Sequence, residues 1–294
     1  MIRRLCIVGV GLMGGSLARA LREAGVCSEF VGAGRSTATL EKAQALGIID
    51  RYETDVARAA GGADMVVVAV PLGTTAGVFR ALAGKLAEGA VLTDVGSAKR
   101  IILTAAREAF GRIPANLVPG HPIAGTERSG VEASFATLFE GHRVILTPAP
   151  QTDPAATARV RRMWESVGAE VVSMDPDHHD EVLAATSHLP HVLAYVLVDV
   201  LGRMQEHREI FRYAAGGFRD FTRIASSDPQ MWHDICLANR DALVGALEHF
   251  EGELRDAVDL IRRGDGEAIK SLLTRAKALR DRYTEGRRAG NEES

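Results

Sequence analysis

Apolar and polar positions divide the chain into two halves with different periods. In the first half, short unbroken apolar runs recur: Leu5-Cys6-Ile7-Val8, Phe30-Val31-Gly32, Met65-Val66-Val67-Val68-Ala69-Val70 and Val91-Leu92-Thr93-Asp94-Val95. Between them lie stretches with helical spacing, through Leu17 and Leu21, over about residues 39–46 and over about residues 75–86. Unbroken apolar strands alternating with helices predict a parallel sheet covered on both faces. Leu117-Val118, Val144-Ile145-Leu146 and Val171-Val172 read as later strands. From Pro176 onward the strand signal stops. Leu243, Leu247, Phe250, Leu254, Val258 and Ile261 follow a helical period, and so do Ile269, Leu272, Leu273, Ala276 and Leu279 past the Gly264-Asp265-Gly266 break. Residues 189–201 are apolar on nearly every side, which predicts a buried helix that Pro190 begins or kinks. Residues 285–294 read as a disordered tail.

The first strand runs into Gly9-Val10-Gly11-Leu12-Met13-Gly14, and a helical pattern follows. A G-x-G-x-x-G loop in that frame is a dinucleotide-binding signature. Gly9 allows the tight turn, Gly11 lets the backbone approach a pyrophosphate, and Gly14 allows close helix packing. Leu12 and Met13 open the helix whose N-terminal N–H groups face the phosphates. Val70-Pro71 and Val95-Gly96-Ser97 fall at strand C-terminal ends, where ligands of such sheets bind. The second strand ends in Gly32-Ala33-Gly34-Arg35-Ser36-Thr37 with no acid to hold a ribose hydroxyl. Arg35 and Ser36 there suit a 2′-phosphate, so NADP, or use of both cofactors, is expected over strict NAD. A stacking role for Arg35 on adenine is the plainer alternative. The expected fold is an α/β Rossmann-type nucleotide-binding domain over residues 1–174, followed by an all-α domain over residues 175–294 for substrate binding and dimerisation.

Composition removes several classes of function. The chain has 294 residues, a formal net charge of -3 and no basic tract, so nucleic acid is not an expected partner. Cys6, Cys27 and Cys236 are odd in number and form no Cys-x-x-Cys pair, which fits free thiols in a reducing compartment. The N-terminal apolar run is too short for a signal peptide, and residues 192–198 are far below bilayer length. A cytoplasmic protein without membrane contact is expected, and its apolar helical half points to a homodimer.

Four places carry candidate chemistry. His121, in Gly120-His121-Pro122-Ile123-Ala124-Gly125-Thr126-Glu127, follows a predicted strand and could move a proton near neutrality; a turn-capping histidine fits the spacing equally well. Ser97 could share a substrate hydroxyl with it, or cap the next helix. Ser187-His188-Leu189-Pro190-His191 could be half a metal site, but no ligand cluster completes it, so no metal is expected. Asp175-Pro176-Asp177-His178-His179-Asp180-Glu181 reads as an ordinary acidic helix start. The fourth place, Gly216-Gly217-Phe218-Arg219-Asp220-Phe221-Thr222-Arg223 and on to Trp232, sets two arginines among aromatic residues. If buried there, they would require an anionic partner, either an internal carboxylate or a ligand.

Together these blocks resemble the prephenate/arogenate dehydrogenases, or cyclohexadienyl dehydrogenases, of tyrosine biosynthesis. The likeness runs from Gly9-Val10-Gly11-Leu12-Met13-Gly14-Gly15-Ser16 through Val95-Gly96-Ser97-Ala98-Lys99, the His121 block and Ser187-His188-Leu189-Pro190-His191 to Trp232. It reads as the monofunctional form, with neither a chorismate mutase segment nor a regulatory domain. The resemblance implies NAD(P)-dependent oxidative decarboxylation of prephenate, arogenate or both. In that reading His121 takes the proton of the C4 hydroxyl, and Ser97 helps hold that hydroxyl. Arg223 grips the ring carboxylate, with His191 and Glu127 positioning the substrate. Arginine suits a dianion, because it meets carboxylates in a paired geometry that lysine cannot copy. Trp232 and Phe221 are expected to pack a pocket wall or the core. Two rivals remain: a β-hydroxyacid or imine-reducing dehydrogenase, which would more naturally use a helix lysine, and a non-catalytic dinucleotide sensor.

Overall fold

The computed structural model describes residues 1–126, 128–205 and 207–292. Its core is a parallel sheet built from β1 (Ile2–Val8), β2 (Cys27–Ala33), β3 (Arg51–Glu53), β4 (Met65–Val68), β5 (Val91–Asp94) and β6 (Leu117–Val118), in the order β3-β2-β1-β4-β5-β6. The crossovers are α1 (Leu12–Glu23), α2 (Thr37–Ala45), α3 (Val56–Ala60), α4 (Leu72–Leu82) and α5 (Arg100–Phe110). This is the strand order of the doubly wound dinucleotide fold. Side-chain alternation splits each strand between two apolar layers. Leu5 and Ile7 pack with Leu17 and Leu21 on one face, while Cys6 and Val8 pack with Phe79, Leu82 and Ile102 on the other.

The apolar runs after Leu117 do not extend that sheet. Pro119 has no N–H to give a ladder, and the chain leaves β6 there to start a second sheet. That sheet holds β7 (Gly120–Pro122), β8 (Arg143–Leu146) and β9 (Glu170–Ser173) in this order, with β7 antiparallel to β8. His121 therefore lies on a strand, opposite Ile145, rather than in the loop after one. The helix α6 (Pro154–Glu165) joins β8 to β9, and its Trp164 ring meets Phe139 edge-on at 5.0 Å.

Helices follow: α7 (Pro176–Leu183), α8 (Leu189–Gly202), α9 (His207–Arg212), α10 (Gly216–Thr222), α11 (Pro229–Ala238), α12 (Arg240–Arg263) and α13 (Gly266–Glu292). A π turn over Ala184–His188 joins α7 to α8 without a break, and Pro190 follows directly after this wider turn. By length and composition the continuous run Pro176–Gly202 is one that could cross a bilayer. It also carries buried His179, Asp180 and His188. By proximity the chain forms two compact units, Met1–Leu243 and Val244–Ser294; the second consists of the rest of α12 and of α13.

Three expectations are corrected here. The α8 helix is not buried: Ala194 is its one fully covered residue among those described, and Val196 and Val200 are 51% and 41% exposed. The arginine segment is not buried either. Among the described residues α10 has no buried member, and Arg219, Asp220 and Arg223 are all exposed, as is Phe221. Because these guanidinium groups are exposed, the argument from buried charge does not hold for this segment. The expected disordered tail continues α13 as helix through Glu292.

Candidate active site

Two loops at the C-terminal edge of the main sheet, and the strand β7 beside it, form the nucleotide side of the site. Gly9 has φ +96, and a Cβ on it would stand 2.3 Å from the Ala69 carbonyl oxygen. A Cβ on Gly14 would stand 2.1 Å from the Gly9 carbonyl oxygen, so neither glycine can be replaced without moving backbone. Gly11 differs, because no heavy atom lies within 4 Å of its absent Cβ. It is the N-cap of α1, and no side chain caps that helix. Open backbone next to uncapped helix N–H groups fits a pyrophosphate. Leu12 and Met13 are the half-buried first residues of that helix, and Val70 touches the Gly9 position. Pro71 is exposed at the start of α4. Arg35 is exposed two residues past β2. Ser36 serves α2 as N-cap, its hydroxyl accepting from Thr39 N at 3.2 Å.

His121 sits 8% exposed at the edge where the two sheets meet. Its Nδ1 is 2.9 Å from His179 Nε2, and His179 Nδ1 donates to Asp180 Oδ1 at 2.8 Å. Asp180 in turn accepts from Lys99 N at 2.7 Å and Arg100 N at 3.0 Å, the first turn of α5. Below lies a second buried cluster. Lys99 Nζ donates to Asp94 Oδ2 and to the Gly120 carbonyl, each at 2.6 Å, while Gly120 N donates to Asp94 Oδ1 at 3.2 Å. The backbone just before His121 is thus clamped on both sides by one ion pair. Burial, with the charge of His179, Lys99 and His188 behind it, holds His121 well below the usual histidine range. The ring is therefore neutral and able to accept a proton at ordinary pH. Ser97 is half-buried between β5 and α5, and its hydroxyl has no partner among the described residues. It does not cap α5, since Asp180 does.

On the helical side, His188 is buried and Asn239 Nδ2 stands 3.1 Å from its Nδ1 while also donating to the Asp180 carbonyl at 2.7 Å. Burial pushes His188 down to about 4. His191 donates from Nδ1 to the Ser187 carbonyl at 2.9 Å, and its ring stacks on Trp232 at 3.8 Å. Burial lowers His191; the Ser187 carbonyl pulls the other way, and Arg223 adds a further downward push. Arg223 opens the short 3₁₀ turn Arg223–Ser226, so its charge is felt at His191 although it remains exposed. His188 and His191 thus have non-metal partners. His188 Nε2 and Trp232 Nε1 are buried and unpaired among the described atoms. Glu127 lies outside the described residues.

Sequence reasoning missed His179, Asp180, Lys99, Asp94, Asn239 and also Asp234, whose Oδ2 accepts from Gly73 N at 3.1 Å in the first turn of α4. A signal existed for the first two. Asp175 is the N-cap of α7, and Pro176, His179, Asp180 and Leu183 are its buried residues, spaced as one helix face. A histidine and an aspartate on that apolar face need partners.

The nucleotide-binding domain model of prephenate dehydrogenase matches residues 17–173, and the prephenate dehydrogenase dimerization domain model matches residues 175–275. A cyclohexadienyl dehydrogenase of Zymomonas mobilis is 37% identical over 91% of this chain and 91% of its own. A prephenate dehydrogenase from Aquifex aeolicus, solved with hydroxyphenyl propionate and NAD+, is 40% identical with a TM-score of 0.89, covering 95% of this chain and 98% of its own. Arogenate dehydrogenase of Synechocystis is 27% identical with a TM-score of 0.81, over 95% of this chain and 99% of its own.

Proposed function

The chain belongs to the prephenate dehydrogenase family, and from that premise we propose that it oxidatively decarboxylates prephenate, arogenate or both with a nicotinamide cofactor. The observation that carries the reading is a buried neutral imidazole, His121, beside a glycine loop fit for a dinucleotide. We assign dinucleotide binding to residues 1–174, and substrate holding and dimerisation to residues 175–294.

Gly9, Gly11 and Gly14 shape the loop, and the α1 N-terminus with Leu12 and Met13 would meet the phosphates; Val70 and Pro71 would line the nicotinamide side. The bound nicotinamide supplies a hydride acceptor. His121 takes the proton of the C4 hydroxyl through Nε2, and Ser97, whose hydroxyl is unengaged, holds that hydroxyl in place. Arg223 offers its fork to a carboxylate, with His191 steadied on Trp232 beside it, and Glu127 is proposed to help position the substrate. Loss of the ring carboxylate as CO2 needs no further catalytic group, because it leaves an aromatic ring. Orientation and one base suffice.

Arg35 and the absence of an acid after β2 support use of NADP at least as well as NAD. Exposed Val196 and Val200 on α8 support a homodimer, and the kinship supports a cytoplasmic enzyme. The test pairs prephenate and arogenate with each cofactor and follows the reduced nicotinamide. Turnover with at least one pair is expected; none with any pair overturns the reading. A strong preference for NAD, unchanged in Arg35→Ala, overturns the NADP assignment alone.

A further inference from the structure

The hydrogen bonds behind His121 fix where its protons sit. Asp180 accepts two backbone N–H groups at the start of α5 and faces His179 Nδ1 at 2.8 Å. A carboxylate can only accept, so His179 Nδ1 carries the hydrogen. In a neutral imidazole the other nitrogen is then a lone pair. That lone pair, on His179 Nε2, lies 2.9 Å from His121 Nδ1. Two lone pairs would repel at such a distance, so His121 Nδ1 must donate. Its Nε2 is left as the acceptor.

We propose that His179 and Asp180 are positioning residues for the reaction: they lock His121 in the tautomer whose Nε2 can take the substrate proton, and they steady the imidazolium that results. The proposal rests on His121 being the base. Once His121 is protonated, its Nδ1–H still points at His179, whose far side points at the Asp180 carboxylate. The developing positive charge therefore faces a fixed chain of dipoles ending in an anion. The charged and titratable groups around His121 are Lys99 and Asp94 from the β5–α5 segment, His179 and Asp180 on α7, and His188 in the π turn. Lys99 opposes a charge on His121, while Asp94 cancels much of that effect at 2.6 Å from its ammonium. Asp180 is left as the carboxylate that answers the imidazole. Its anchoring explains why a buried aspartate stays ionised: backbone N–H groups and the His179 ring hold it below the usual carboxylate range against burial.

A purely structural role would make Asp180 just the cap of α5, and the test separates the two. His179→Leu removes the acceptor for His121 Nδ1, whereas His179→Gln can restore it through its amide oxygen. The expected result in the dimer as isolated is a kcat lowered roughly 10²-fold or more in His179→Leu with KM nearly unchanged, and partial recovery in His179→Gln. Ring ¹⁵N spectra of histidine-labelled enzyme should show His121 protonated at Nδ1 in the parent and mixed tautomers in His179→Leu and Asp180→Asn. The acid limb of kcat should move in the same variants. Unchanged tautomer signals, kcat and acid limb in His179→Leu overturn the proposal. If Asp180→Asn fails to fold, the two His179 variants decide alone. His121→Asn keeps the outcomes apart: if it turns over normally, the base itself is misassigned, whereas an inactive His121→Asn with a normal His179→Leu sinks the relay and spares the base.

Discussion

The imidazole end of the site and the guanidinium end are built on opposite plans. Behind His121, the side chains of His179, Asp180, Lys99 and Asp94 are buried and partnered with one another or with the backbone of Gly120 and α5, inside one chain. Around Arg223, the helix and turn are short, mostly exposed, and flanked by uncovered apolar residues such as Phe221 and Met231. A proton-transfer group must be desolvated and held still, because its basicity and tautomer depend on what surrounds it. A carboxylate-gripping arginine needs neither, since its charge is permanent. The difference teaches that a group whose protonation matters is enclosed by its own chain, while a permanently charged one can stand at the surface.

The sharpest way to break that comparison is His121→Asn. It should lower kcat by roughly 10²–10⁴-fold with little change in KM, as steady-state kinetics would show. Near-normal turnover would leave the buried network without a catalytic purpose. Next comes Arg223→Ala, which should weaken substrate capture by about 1.5–3 kcal/mol, read as kcat/KM. Because Arg223 is exposed, its thermal melt should not move. A lowered Tm with unchanged kinetics would show that this end too is structural.

Acidification should separate the ends by stability. His188 is held at about 4, and His121, His179 and His191 are also lowered, chiefly by burial. Between about pH 6.5 and 4 the unfolded chain binds more protons than the native one, so stability falls as pH drops through that window. For His188 alone the loss is on the order of 3 kcal/mol. Melting curves across the range would test it, and His188→Asn should flatten the slope. The smallest effect on chemistry is expected from Val196→Lys on exposed α8. It should weaken self-association at least about tenfold, the effect of roughly 1.4 kcal/mol. Sedimentation measures that, and the single-chain melt should hardly change. Unaltered association would place the subunit interface elsewhere.

Much of the fold was legible because its strands are unbroken apolar runs and its glycines fall at a strand end. Arg51-Tyr52-Glu53 was not, since a half-buried edge strand with charged residues has no such pattern. Gly120-His121-Pro122 has almost no strand propensity; Pro119 and the β8 edge make it one. The glycine loop and the helical period could be read from residue type and spacing, whereas the role proposed for His121 came from the family resemblance. The spacing of His179 and Asp180 on one helix face was a signal, but their partners were not legible, because His121 lies 58 positions from His179 and Lys99 and Arg100 some 80 from Asp180. The error over Arg219 and Arg223 has another source. Apolar neighbours in sequence do not make a side chain buried; three-dimensional cover does.

The helix starts of the nucleotide half have one more consequence. Of the five that follow the strands of the main sheet, α2 and α3 are plugged by their own Ser36 and Asp55, α4 and α5 by Asp234 and Asp180 from the later helices. Among these five, α1 alone has no side chain on its first N–H groups. Three of those plugs, Asp55, Asp180 and Asp234, bring negative charge to the very places where a stray phosphate would otherwise settle. A dinucleotide arriving at this sheet meets a single unlocked berth, and the same carboxylates that close the others rivet the helical layer to the sheet.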